Sequence, residues 1–267
     1  MNILETIIEY KKREVESQKL AVSESLLQKS GYFSRKPLSL GKRLQDGSGN
    51  GIIAEFKRKS PSKGIINDKA DLAAVTKEYT NGASGLSILT DQKFFGGSTQ
   101  DILRIRNYNI PILRKDFMID EYQIVEARSI GADVILLIAA CLSPLRVRQL
   151  ASFAKKLELE VLLELHDDNE LEHICDEVDM IGINNRDLKT FQVDINRSIG
   201  LISKIGTGKP VVAESGISEV ETIARLRGFG FRGFLIGENF MKEPDPAIAF
   251  ASFINKLKIA ASPIGSM

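Results

Sequence analysis

The stretch DVILLIAACLSPLRVRQLASFAKKLELEVLLEL (133–165) decides the fold class. Asp133–Ala139 is an almost unbroken aliphatic run, without the alternation of a half-exposed strand. Such runs suit strands of a parallel sheet covered on both faces. Ser143-Pro144 then supplies an N-cap followed by proline at the first helical position, so 144–157 reads as a helix. Glu160–Leu165 is a second aliphatic run. Strand, helix and strand within about 30 residues make one βαβ unit.

The same pattern recurs on both sides. Runs at Gly51–Phe56, Gly85–Leu89, Ile110–Arg114, Met180–Asn184, Pro210–Glu214 and Gly233–Gly237 complete a set of eight. Their starts lie about 20–35 residues apart, as βα units require. Helices are expected at Asp71–Tyr79, Thr99–Arg106, Glu121–Ile130, Asn169–Cys175, Asn196–Ile205, Glu219–Leu226 after Ser218, and Pro246–Leu257. Caps and stops such as Ser98, Gly131 and Gly206 punctuate them. Eight units predict an α/β fold, a (β/α)8 TIM barrel with an N-terminal helical extension. A doubly wound open sheet competes less well, because Gly47, Gly49 and Gly51 precede a strand instead of following one.

The first fifty residues stand apart. Ile3, Leu4, Ile7 and Ile8 recur at helical spacing in a charge-dense segment. Phe33, Leu38, Leu40 and Leu44 form a second apolar set before the linker 47–51. The expected organisation is an extension over 1–50 that packs on the barrel surface or closes one mouth as a lid, a catalytic barrel over 51–258, and a tail over 259–267.

Composition bounds the function. The 267 residues hold 36 Lys+Arg against 35 Asp+Glu, a net charge of +1, which argues against a nucleic-acid binder relying on a basic field. Two cysteines, 141 and 175, cannot build a disulfide framework and fit a reducing cytosol. No run is long enough to span a membrane, and the N-terminus lacks signal-peptide character. HExxH and CxxC are absent, so no metal is expected. The acids after Leu165 are expected at a helix start, where the helix dipole favours them, with His166 part of that cap and His173 exposed.

In such a barrel the chemistry sits where strands end. The ends here carry Glu55 with Lys57 and Ser60, then Arg114 with Lys115, Glu164, Asn184 with Arg186, Glu214 with Ser215 and Gly216, and Gly237 with Glu238. Charged groups converging on one mouth must be paired or desolvated, a cost that a merely structural barrel has little reason to carry. Glycines after the seventh and eighth strands suit a phosphate cradle.

These ends also carry a family likeness. AEFKRKSPSKG (54–64), ILTDQKFFGGS (88–98), PILRKDF (111–117), LLELHD (162–167), GINNRDLKTF (182–191), VAESGI (212–217) and FLIGENFM (234–241) resemble, in order, the motifs of indole-3-glycerol-phosphate synthase. The resemblance covers roughly 50–245. It implies conversion of 1-(2-carboxyphenylamino)-1-deoxyribulose 5-phosphate to indole-3-glycerol phosphate, CO2 and water, in tryptophan biosynthesis, without a cofactor. Lys115 is then the acid of ring closure and Glu164 acts in dehydration. Glu55 positions the lysines, Lys57 contacts the carboxylate or phosphate side and shares the acid role, and Asn184, Glu214 and Ser215 orient the substrate. Ser60, Lys57, Arg186, Gly216, Gly237 and Glu238 fall at phosphate positions. Many relatives carry Ser where Glu238 stands, so its backbone alone is expected to help. Pro61, Phe95, Phe117, Leu136 and Leu188 match the pocket for the aryl ring. Cations crowding Lys115 are expected to lower its pKa.

The expected partner is a phosphorylated small molecule, with neither nucleic acid nor membrane, for a cytoplasmic monomer or weak homodimer. An isomerase of the same pathway would need a Cys/Asp pair at the strand ends, and neither cysteine lies there. A non-catalytic barrel would have no need of Glu55, Lys115 and Glu164 together.

Overall fold

A computed structural model describes residues 3–187 and 190–261. Eight parallel strands close into a barrel: β1 Ile52–Phe56, β2 Gly85–Leu89, β3 Ile112–Lys115, β4 Val134–Ile138, β5 Glu160–Leu165, β6 Met180–Asn184, β7 Val211–Glu214 and β8 Gly233–Ile236. Each strand pairs with its neighbours in sequence, and β8 closes on β1 through Ile52–Phe234, Ile53–Leu235 and Ala54–Ile236. Their bodies are buried throughout, which is why they read as unbroken aliphatic runs.

Period-two alternation divides each strand. One set, including Ile53, Leu113, Leu136, Leu162, Met180, Val212 and Leu235, packs inside the barrel. The other, including Ile52, Ile112, Ile135, Val161 and Ile181, packs against the outer helices. Each interior set, continued two residues at a time, reaches the mouth: Ile53 leads to Glu55 and Lys57, Leu113 to Lys115, Leu162 to Glu164, and Val212 to Glu214.

Helices fill the crossovers with local caps. Asp71 accepts from Ala74 N ahead of Leu72–Thr80, and Ser98 caps Thr99–Ile105. Asp120 and Gln123 form a capping box at Glu121–Ser129, and Ser143 with Pro144 opens Pro144–Lys156. Four expectations shift. The fifth unit is a 3-10 helix, Asp168–His173, where an α-helix over 169–175 was expected. The cap of Val220–Gly228 is Glu219 rather than Ser218, without a side-chain bond. His173 is buried, its Nε2 2.9 Å from Leu142 O and its Nδ1 3.1 Å from Glu170 O. The last helix runs Pro246–Ala261, past residue 258, and positions 262–267 of the expected tail lie outside the described residues.

The extension works at both ends of the barrel, not at one mouth. Helix α1, Ile3–Ala21, brings Ile3, Leu4 and Ile7 to the C-terminal mouth. Lys11, 2% exposed, fixes it there, its ammonium 2.9 Å from Asp91 Oδ2 and 2.9 Å from Asp116 Oδ1. Helix α2, Leu40–Gln45, sits at the opposite end, where Leu40 and Leu44 enter the interior cluster. A β-carbon at Gly85 would lie 2.8 Å from Leu40 Cδ1, and one at Gly233 3.1 Å from Leu44 Cδ1. These two glycines open β2 and β8, so the leucines plug the N-terminal mouth.

Candidate active site

The strand ends surround a cavity of about 460 Å³ at the C-terminal mouth. Lys115, Glu164, Glu55, Lys57, Asn184, Glu214 and Ser215 line it. So do Ser60, Arg186, Gly216, Gly237 and Glu238 on the side expected for phosphate, and Pro61, Phe95, Phe117 and Leu136 on the side expected for the ring. Phe95 and Phe117 stand with ring centroids 6.0 Å apart. Leu188 lies outside the described residues.

Lys115 is the centre. Its Nζ lies 3.0 Å from Glu164 Oε2 and 3.4 Å from Glu214 Oε2. The expected lowering of its pKa is wrong in sign. Burial pulls the ammonium down, but Glu164, Glu214 and Glu55 outweigh it and push Lys115 above its ordinary range. Its ion-pair partners are carboxylates; of the cations read from the sequence, Arg114 packs outward on Glu126, 2.6 Å away, Arg58 turns to Asp101, and Lys57 is held by Glu55.

The three carboxylates differ. Burial raises Glu164, but Lys115, His166 and Asn184 together hold it well below the carboxylate range. Glu55 is likewise held low against burial by Lys57, 2.8 Å away, and by Lys115. Glu214 goes the other way. Burial, only partly opposed by Lys115 and reinforced by Glu164, pushes it up to about 8. Its Oε1 finds no hydrogen-bond partner among the described residues. Room for it comes from Gly182, where a β-carbon would stand 2.3 Å from that oxygen. The surroundings therefore bias Glu164 toward its anion and Glu214 toward its protonated form, on either side of one ammonium. A proton donor, a base and a proton store stand together, as acid–base chemistry requires.

The opposite wall is cationic and glycine-lined. Ser215 and Gly216 both adopt left-handed backbone, φ 67° and 73°. For Ser215 this costs about 1–2 kcal/mol. The turn is held by Asn185, whose Nδ2 donates to Ser215 O at 2.8 Å and whose Oδ1 accepts from Ser198. Gly237 is needed because a β-carbon there would stand 2.8 Å from Glu55 Oε1. Glu238 contributes more than backbone: its carboxylate lies 3.3 Å from Arg186 and 3.7 Å from Lys63. It thus pairs with two cations on the side of the cavity expected for phosphate.

Sequence reasoning missed several of these groups. Lys63 and Lys242 line the cavity from loops, and Phe191 and Val193 from the loop after β6; Ile3, Leu4 and Ile7, read from the sequence as an apolar helix face, also line it from α1. His166 was read as part of a cap but is buried behind Glu164. Among the described residues, no group of three or more His, Cys, Asp or Glu is arranged to hold a metal ion. Nor is any described helix long and apolar enough to cross a membrane.

A closed parallel barrel with lysines and glutamates converging on its C-terminal mouth defines the class, a TIM-barrel enzyme. Solved tryptophan synthase alpha subunits share the fold: that of Legionella pneumophila str. Paris matches with a TM-score of 0.61 at 13% identity, over 83% of this chain and 96% of that one. The particular family follows from sequence. The profile of indole-3-glycerol phosphate synthase matches residues 4–253. The protein of that name from Bacteroides thetaiotaomicron is 48% identical over 96% of this chain and 99% of its own length. Those from Salinibacter ruber and Bordetella pertussis are 40% and 38% identical, over 99% and 95% of this chain and 100% and 99% of theirs. The chain belongs to the indole-3-glycerol phosphate synthase family.

Proposed function

We propose that the protein is an indole-3-glycerol-phosphate synthase, a carboxy-lyase of tryptophan biosynthesis (EC 4.1.1.48). The substrate is 1-(2-carboxyphenylamino)-1-deoxyribulose 5-phosphate. The observation that carries the reading is the Lys115 ammonium, 3.0 Å from Glu164, facing a cavity with aromatic side chains on one side and cations on the other.

The ring carbon bearing the carboxylate attacks the ketone carbon, and the ketone oxygen gains charge. Lys115, fully protonated, donates to that oxygen and leaves a hydroxyl. Loss of CO2 restores the aromatic ring. The hydroxyl then departs as water, taking a proton, while Glu164 removes a proton from the dehydrating five-membered ring. Lys57, held by Glu55, is the second proton source. Asn184 fixes Glu164 through a 3.1 Å bond to Oε1, and Glu214 and Ser215 orient the sugar hydroxyls. Arg186, Lys57, Ser60 and the backbone at Gly216, Gly237 and Glu238 take the phosphate. Pro61, Phe95, Phe117, Leu136 and Leu188 hold the aryl ring.

We also infer that the protein works in the cytoplasm without cofactor or metal, as a monomer or weak homodimer. The test is indole fluorescence when purified protein meets the carboxyphenylamino substrate. Activity is expected to survive chelation with EDTA. Absence of indole at saturating substrate would overturn the assignment.

A further inference from the structure

His166 takes no part in the chemistry just described, and it does not line the cavity. It lies directly behind it. Leu162, Glu164 and His166 are spaced two residues apart along β5 and its exit, so they share the interior face. The imidazole is 7% exposed. Its Nε2 lies 3.1 Å from Glu164 Oε1, and its Nδ1 lies 3.4 Å from Glu170 Oε2 on the Asp168–His173 turn. The Glu170 carboxylate also accepts the His166 backbone N–H, which fixes it under the ring.

Nδ1 is hydrogen-bonded to Glu170, whereas Nε2 has no hydrogen-bond partner among the described residues and meets Glu164 as a close charge contact; a ring with a carboxylate oxygen on each side is favoured as imidazolium. The surroundings agree. Burial disfavours the charged ring, but Glu164 and Glu170 outweigh it and push His166 up to about 10. Of the other groups nearby, Arg197 donates to His166 O at 3.4 Å, and Cys141, its thiol pushed up by burial, lies beside Glu164 and Glu170. Lys115 and Glu214 stand on the far side of Glu164.

We propose that His166, clamped as imidazolium by Glu170, is a positioning residue that keeps Glu164 ionised and presented to Lys115 and the substrate. This rests on Glu164 being the base of the dehydration step. Glu164 and Glu214 compete for one proton across Lys115, and the cation behind Glu164 decides which of them carries it. Without that cation the proton moves toward Glu164, and the base is lost at the lower end of the working pH range.

The experiment uses the full chain with 13C-labelled glutamate carboxyls, the Glu164 signal being identified by its loss in Glu164→Gln. In the wild type Glu164 is expected to titrate well below an ordinary glutamate. In His166→Leu it should titrate at least one pH unit higher, a tenfold change in its ionisation ratio. His166→Gln, which keeps a donor but no charge, and Glu170→Gln, which releases the clamp, should fall between. In turnover, the acid limb of kcat should move up by the same interval while KM stays within about twofold, since the ring does not face the cavity. Unchanged Glu164 titration and an unchanged acid limb, with only a lower Tm, would make His166 merely structural and overturn the proposal. If His166→Leu does not fold, the Gln variants decide it in the same way, and no shift in either refutes it. A wild type that forms no indole would overturn the functional assignment instead, and the titration would still decide what His166 does to Glu164.

Discussion

The two ends of the barrel use the same kinds of residue to opposite effect. At the N-terminal end, Asp133 is fully buried, and each of its oxygens receives two donors: Arg35 and Leu38 N on one, Arg106 at 2.7 Å and Ile112 N at 2.8 Å on the other. Glu160 beside it accepts from Ser39, Leu40 N and Gly41 N. At the C-terminal end, Glu214 is also buried, yet one of its oxygens is unpartnered, and it shares the Lys115 ammonium with Glu164 while Lys57 holds Glu55. A buried polar atom left without a partner costs about 1–3 kcal/mol. The floor spends its charges on holding the extension to the barrel, whereas the mouth keeps a carboxyl short of partners and therefore able to exchange a proton. Unpartnered atoms occur at the floor too, at Arg35 Nε and Arg106 Nε, so what sets Glu214 apart is that its unpartnered atom belongs to a carboxyl lining a cavity.

The contrast predicts where each substitution is felt. Lys115→Met should lower kcat by about 10²–10⁴-fold, the range of a general acid, with the fold intact by circular dichroism. Leu40→Ala at the floor should do the reverse, costing about 2–5 kcal/mol of stability in denaturant titrations while the protein that remains folded keeps its kcat. A large loss of kcat in the leucine variant would break the division between the ends.

Glu238 sharpens the comparison within the mouth. Its carboxylate pairs with Arg186 and Lys63, so under the proposed phosphate site the substrate would have to displace it. Glu238→Ser is expected to lower KM several-fold with little change in kcat, and Arg186→Ala to raise KM. A higher KM in Glu238→Ser would show that the carboxylate helps binding.

The last comparison concerns pH dependence. Glu214 is raised in the folded state from 4.5 to about 8, so its contribution is fully present below 4.5 and is lost as pH rises through about 8. Wild-type stability measured against Glu214→Gln should therefore fall across that interval. A difference constant with pH would mean that Glu214 titrates normally.

Much of this was legible in the residues. Eight aliphatic runs specify the barrel because strands buried on both faces need no alternation. The mouth could be read because polar groups interrupt those runs at one end only. What stayed hidden depends on three-dimensional context. Lys11, in a charge-dense helix, looks like any solvated lysine until Asp91 and Asp116 are folded onto it. Leu40 and Leu44 announce an apolar face but not which end of the barrel takes it. His166 sits among Asp167, Asp168 and Asn169, whose capping signal masks it, although its two-residue spacing from Glu164 was there to be followed. The sign of the Lys115 shift could not be read, because adjacent cations in sequence point to opposite faces of the strand.

The most direct test is a single-turnover comparison of CO2 release and indole appearance in Lys115→Met and Glu164→Gln. If Lys115 is the acid of ring closure, its variant releases CO2 and forms indole at equally depressed rates, because closure precedes both. Glu164→Gln should release CO2 near the wild-type rate while indole lags and a decarboxylated intermediate accumulates. Wild-type CO2 release by Lys115→Met would contradict this and transfer the role to Lys57.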